Sequence, residues 1–159
     1  MTVEEFTEAI HQMKSAAVPK RLVFIWTDPI AKVEKVMTGI EIHLQNLVDA
    51  AAQDESGMKD PQHFLETKLN DFCKKFEESR NEPAALVLQN AILLMRYGCD
   101  ISAIHRYGIS PRSAVILLMP KESHRHFPPQ TDGWVKRNTK EIITRMAKQL
   151  GMPDCIIDV

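Results

Sequence analysis

The chain has 159 residues, 44% of them apolar and 26% charged, with a formal net charge of −1. That length suits one domain over residues 1–159, able to bury a core without disulfides, and the apolar and charged fractions are ordinary for a globular protein. A net charge this small excludes nucleic-acid or membrane binding driven by overall charge.

Three cysteines, Cys73, Cys99 and Cys155, are odd in number and widely spaced. They give neither a disulfide framework nor a zinc pattern, and a reducing compartment suits them. The start MTVEEFTEAIHQMK is acidic and amphipathic, without the basic start and apolar run of a secretion signal. No apolar stretch approaches a membrane span. A cytoplasmic protein with no membrane contact is expected.

Taken in chain order, Val3, Phe6, Ile10 and Met13 fall at helical spacing behind Thr2, a suitable N-cap. Pro19 ends that helix. Arg21–Trp26, RLVFIW, reads as a buried strand. Asp28 and Pro29 then suit the start of a helix. Ile30, Val33, Met37, Ile40, Leu44 and Leu47 step by three and four, which predicts one long helix with a heptad-like stripe. The polar stretch 53–61 reads as a loop. A second amphipathic helix is expected from about Pro61 to Ser79, stopped by Asn81-Glu82-Pro83.

The apolar run from Ala84 to Met95 reads as a strand followed by a helical turn or as a longer buried helix, and a strand at Ala85–Leu88 is the favoured reading. Asp100–Tyr107 suits a short helix and Ser113–Met119, SAVILLM, a further buried strand. Residues 121–133 read as a loop, Lys136–Leu150 as a last helix and Cys155–Val159 as a final strand. Apolar strands separated by helices predict a three-layer α/β fold whose mainly parallel sheet is flanked by helices.

Such a sheet raises the question of phosphate binding. A P-loop needs glycines, a lysine and a hydroxyl after the first strand, so that amides wrap the phosphates and charge meets charge. Here the turn is Thr27-Asp28-Pro29-Ile30-Ala31-Lys32, with no glycine. Pro29 removes an amide donor, Asp28 adds a negative charge, and only Lys32 helps.

In its order of RLVFIW strand, turn, helix, ALVLQNAILLM and SAVILLMP, the chain resembles small P-loop NTPase-like proteins of the kind found in bacterial BREX-type phage-defence clusters. The resemblance spans about residues 5–120 and rests on pattern. It implies a P-loop-like fold with a Walker B-like acid after the second run. This sequence departs from that pattern twice: TDPIAK stands in place of Walker A, and Gln89-Asn90 in place of the acid. Amides supply no charge for a metal-bound phosphate. The resemblance therefore implies a degenerate member without hydrolysis, metal or cofactor.

His124-Arg125-His126 offers two imidazoles, too few for a structural zinc site. Cys99 and His105 could form a thiol–imidazole pair, but a free Cys is more often a small buried hydrophobe. No GxSxG elbow occurs.

Charge is unevenly spread. Residues 1–80 carry fourteen acids and ten bases, residues 81–159 seven acids and ten bases. All ten of the latter bases lie within residues 96–148. The candidate interaction residues are His105, Arg106, Arg112, Lys121, His124, Arg125, His126, Phe127, Trp134, Lys136, Arg137 and Lys140. Loops carry function and Arg and Trp serve as anchors; a solubilising face is the plain alternative. Three functions fit: a non-catalytic accessory or adaptor protein that binds another protein, a nucleotide-binding NTPase-like protein with an unfamiliar site, or a nucleic-acid-associated protein using the basic half.

Overall fold

A computed structural model of the chain describes residues 1–16, 22–26, 30–52, 60–79, 81–106, 112–119, 139–151 and 155–157. Five strands, β1 (Leu22–Trp26), β2 (Glu41–Asn46), β3 (Ala84–Gln89), β4 (Ser113–Leu118) and β5 (Ile156–Ile157), form one sheet in the order β2-β3-β4-β1-β5. Every pairing is parallel, with Phe24 beside Ile116 and Leu44 beside Val87. Around it lie α1 (Val3–Ser15), α2 (Ile30–Val36), α3 (Leu47–Ala52), α4 (Pro61–Ser79), α5 (Ile92–Arg96), α6 (Ala103–Arg106) and α7 (Thr139–Gln149).

The strands of the sheet centre are apolar apart from Ser113 and Gln89 at their ends, because both their faces are covered. All six residues of β4 are buried. Phe24, Trp26, Val87, Ile116 and Leu118 pack on one face against Phe6, Ile10 and Met13 of α1 and Val33 of α2. Val23, Ile25, Leu86, Leu88, Val115 and Leu117 pack on the other against α4, α5, α6 and α7. The result is the expected three-layer α/β arrangement.

The connections share one hand. From β1 the chain crosses the sheet through α2 to β2, at the far edge. From β2 to β5 it steps back the other way through helices on the opposite face. Reversing both direction and face preserves the right-handed crossover that twisted strands require.

Local signals explain the helix boundaries. Thr2 caps α1 in a capping box: its hydroxyl accepts from the Glu5 N–H at 3.2 Å, and the Glu5 carboxylate accepts from the Thr2 N–H at 2.7 Å. Asp60 accepts from the His63 N–H at 3.1 Å, with Pro61 in the first helical position. Arg112, just before β4, donates to the carbonyls of Met13 at 3.3 Å and of Lys14. A guanidinium there meets the negative end of the α1 dipole. Lys14 in turn donates to the carbonyl of Thr38, after α2.

The long helix expected over residues 30–48 is not formed. It is replaced by α2, a turn, β2 and α3. Gly39 has φ of +83°, a left-handed conformation that ends the helical path and suits glycine. Beyond it Glu41–Asn46 takes an edge position, where one covered side suffices and alternation replaces the stripe. His43, expected on a helix, lies on β2 with its ring edge-on to Phe76 at 5.1 Å. The remaining elements fall close to their expected bounds. The loops over 53–59 and 121–133 lie outside the described residues.

Phe6 is fully buried, 4.7 Å from the Phe24 ring and 5.2 Å from that of Trp26. Truncation here leaves a cavity between α1 and β1 as well as losing transfer energy. Phe6→Ala is expected to lower stability by about 3–5 kcal/mol in urea titrations. A loss below about 1 kcal/mol, the size of an ordinary surface effect, would show that α1 is not part of the core.

Candidate functional site

Open parallel sheets bind ligands beyond the carboxyl ends of their strands, where neighbouring connections leave toward opposite faces. Here that point lies between β1 and β4. The chain leaves β1 for α2 on one face and β4 for α7 on the other. The strand ends are tied together: Met119 N–H donates to the Trp26 carbonyl at 2.8 Å, and Ala91 N–H to the Leu118 carbonyl at 3.1 Å.

Gln89 ends β3 on this same edge, so the position at which the resemblance would require an acid does reach the carboxyl side of the sheet. Asn90 follows with φ of +57°, a left-handed turn that Asn tolerates better than most residues. Its amide Nδ2 donates to Asn46 Oδ1 at 2.9 Å, and the same oxygen accepts from Val48 N–H at 2.9 Å. The ends of β2 and β3 are thus joined by two neutral amides, with Asn46 also capping the start of α3. Beside them a groove of about 280 Å³ is lined by Leu44, Asn46, Asp49, Lys68, Phe72 and Gln89. Among the described residues Asp49 is the one carboxylate on its wall. Lys32 sits on the exposed side of α2. Asp28 and Pro29 lie outside the described residues.

A second cavity, of about 340 Å³, lies in the helical layer between α4, the α5–α6 connection and the end of α7. It brings Cys99 and His105 to one wall, but not as a catalytic pair. The Cys99 thiol donates to the Gln62 carbonyl at 3.8 Å. Burial, with the Glu66 charge adding to it, pushes the thiol up to about 12. A thiol held there carries almost no thiolate at neutral pH. The His105 ring bonds through Nε2 to the Leu150 carbonyl at 3.1 Å and so closes the end of α7. Asp100 is held below the usual carboxylate range by hydrogen bonds from Ser102, and so stays ionised.

The basic candidates separate. His105 and Arg106 lie on α6, with Arg106 donating to Asn70 Oδ1 at 3.5 Å and Ser102 Oγ at 3.4 Å. Arg112 is at the amino edge of the sheet, bonded to the end of α1 on the other face. The backbone of Lys140 is in the first turn of α7. Lys121, His124, Arg125, His126, Phe127, Trp134, Lys136 and Arg137 lie outside the described residues. Among the described residues no group of three or more His, Cys, Asp or Glu side chains is placed to hold a metal, and no helix is long and apolar enough to cross a membrane.

Sequence reasoning did not find the Asn46–Asn90 bridge or the Lys14–Arg112 node. Asn90 did carry a signal, an Asn directly between an apolar strand and a helix, where a left-handed residue is common. Arg112 carried none, because its partners are backbone carbonyls 98 and 99 residues earlier.

All three cysteines are buried and free of disulfides. In the folded protein at pH 8, Cys99 is expected to react with iodoacetamide at least about a hundredfold more slowly than in urea, as its raised pKa and burial require. Equal rates in the two states, read by peptide mass spectrometry, would show an accessible thiolate and reopen nucleophilic chemistry at the second cavity.

Compared with protein-family models, with curated proteins and with solved structures, the chain matches none.

Proposed function

We infer that this chain is a non-catalytic accessory or adaptor protein that works by binding another protein, in a complex of the bacterial defence or regulatory kind. The observation that carries the reading is the chemistry at the carboxyl end of β3. Gln89 and Asn90 stand there, and the Asn90 amide is engaged by Asn46. Neutral amides orient polar groups but do not offset a phosphate-bound metal or act as a base near neutral pH.

The three apolar runs behind the P-loop-like resemblance add support of a second kind. They lie side by side as β3, β4 and β1, so that Gln89-Asn90 and the end of β1 at Trp26 open on one edge. A degenerate P-loop-like protein keeps that scaffold and gives up its chemistry. Its contact residues are then those of the basic half, with Arg125, His126 and Trp134 foremost, where an acidic protein surface complements the charge.

Hydrolysis is the first test. With magnesium, ATP and GTP are expected to turn over no faster than in buffer. Turnover above that level which disappears in Lys32→Ala overturns the non-catalytic reading. The second test uses a partner copurified at low salt. A folded Arg125→Ala/His126→Ala/Trp134→Ala variant is expected to bind it at least about tenfold more weakly, a loss of ~1.4 kcal/mol. Affinity unchanged at low salt places the contact elsewhere on the chain.

A further inference from the structure

The two edges of the sheet are built differently. β5 is two residues long, and the carbonyl of Ile156 accepts from the Met1 ammonium at 3.0 Å. That edge is short and partly blocked, as isolated edges usually are. β2 is six residues long and among the described residues has a neighbour on one side only. Glu41 N–H bonds to the Pro83 carbonyl, so positions 41, 43 and 45 face β3. In a parallel ladder, Ile42 and Leu44 then present their N–H and C=O groups outward, and Asn46, whose carbonyl serves α3, its N–H. No proline, lysine or bulge interrupts this row. Leu44, at its centre, is 43% exposed and with Met1 makes up the exposed large hydrophobics of the described residues.

The helix beside this edge carries an ordered charge pattern. His43 packs on Phe76, and Phe72 and Lys68 line the groove with Gln45 and Asn46. α4 therefore runs antiparallel to β2, with Cys73 about level with Leu44. Its core side is Leu65, Leu69, Cys73 and Phe76. On the flank toward the β2 edge, helical spacing places Lys68, Asp71, Lys75 and Glu78, alternating in sign. Among the described residues none of these four is in an ion pair within the chain; Lys68 lies over the Phe64 ring.

The geometry points to a second copy of this chain as the occupant of this edge, joined β2 to β2 in antiparallel fashion about a two-fold axis through Leu44, to give one ten-stranded sheet. Leu44 of each copy then meets its counterpart as a hydrogen-bonded pair, and the Ile42 carbonyl accepts from the Asn46 N–H of the second copy. The same axis passes near position 73 of α4. It sets Lys68 against Glu78 of the second copy and Asp71 against Lys75, twice over by symmetry. Four opposite-charge pairs form, where an unrotated arrangement would set like charge against like. A two-fold closes on itself, so a dimer forms rather than a filament. This inference does not depend on the adaptor reading.

The test is sedimentation equilibrium of the full chain over a range of concentrations, with thermal melts to verify folding. The wild type is expected at twice the chain mass at tens of micromolar. Lys75→Glu sets two like-charge pairs across the axis and is expected to weaken dimerisation at least about tenfold, or ~1.4 kcal/mol. The double variant Asp71→Lys/Lys75→Glu restores opposite signs and is expected to recover most of it. Leu44→Lys, on an exposed side chain, is expected to give monomer with an unchanged melting temperature at low concentration. A wild type that stays monomeric at 100 µM, taken as roughly the range of a weak specific contact, overturns the proposal. So does a dimer indifferent to both Leu44→Lys and Lys75→Glu, or a double variant no better than the single one.

Discussion

A strand with neighbours on both sides and apolar residues on both faces has no surface to give to water. β4 is such a strand, with Ser113 to Leu118 all buried, and the architecture follows from it. Its backbone groups must be satisfied by β3 and β1, and its side chains by a helical layer above and another below. The chain must therefore cross the sheet on both faces. With one hand of crossover allowed, β2 is sent to one edge through α2 and the rest returns on the other side. The small polar contacts serve this frame: Arg112 and Lys14 hold the ends of α1 and α2 against the amino side of the sheet, while Thr2 and Asp60 start α1 and α4.

The same frame decides where chemistry could sit and which chemistry is supplied. The carboxyl edge between β1 and β4 is the natural ligand position of an open parallel sheet. What the described residues show there is backbone, the ties of Ala91 and Met119 to the ends of β4 and β1, while the amides of Gln89, Asn90 and Asn46 stand farther along the same side, at the ends of β3 and β2. The strongest candidate for reactive chemistry elsewhere, Cys99, is a thiol held protonated by burial, and its sequence neighbour His105 is spent on the end of α7.

The fold was largely legible in the sequence where a strand is buried on both faces, because an unbroken apolar run such as LVFIW or SAVILL fits little else of that length. It failed at residues 30–48. Val33 lies in α2 and Met37 just past its end, and Ile40, Leu44 and Leu47 continue their three- and four-residue steps by coincidence. The alternation Glu41-Ile42-His43-Leu44-Gln45 was present, but an edge strand covered on one side shows it weakly. Gly39, the true stop, was masked by the apolar residues around it. The site was legible in part. Gln89-Asn90 could be placed after an apolar run, whereas their bond to Asn46 spans 44 residues and needs β2 to be a strand. The charged candidates read as one patch along the sequence, and the fold parts Arg112 from His105 and Arg106 because α6 packs on one face of the sheet and Arg112 bonds to α1 on the other.

The placement of β1 between β4 and β5 also has a cost in time. Leu22 pairs with Ala114, and Trp26 with Leu118, so the first strand made waits about ninety residues for its neighbour. Pairing across so long a loop is slow, since closure entropy is lost before the ladder returns any of it. Through that interval LVFIW has two local elements to lean on, α1, through Phe6 against Phe24 and Trp26, and α2, through Val33 on the same face. The N-terminal helix thus acts as a cover for a nascent apolar strand, and its capping box helps that cover form from local contacts alone.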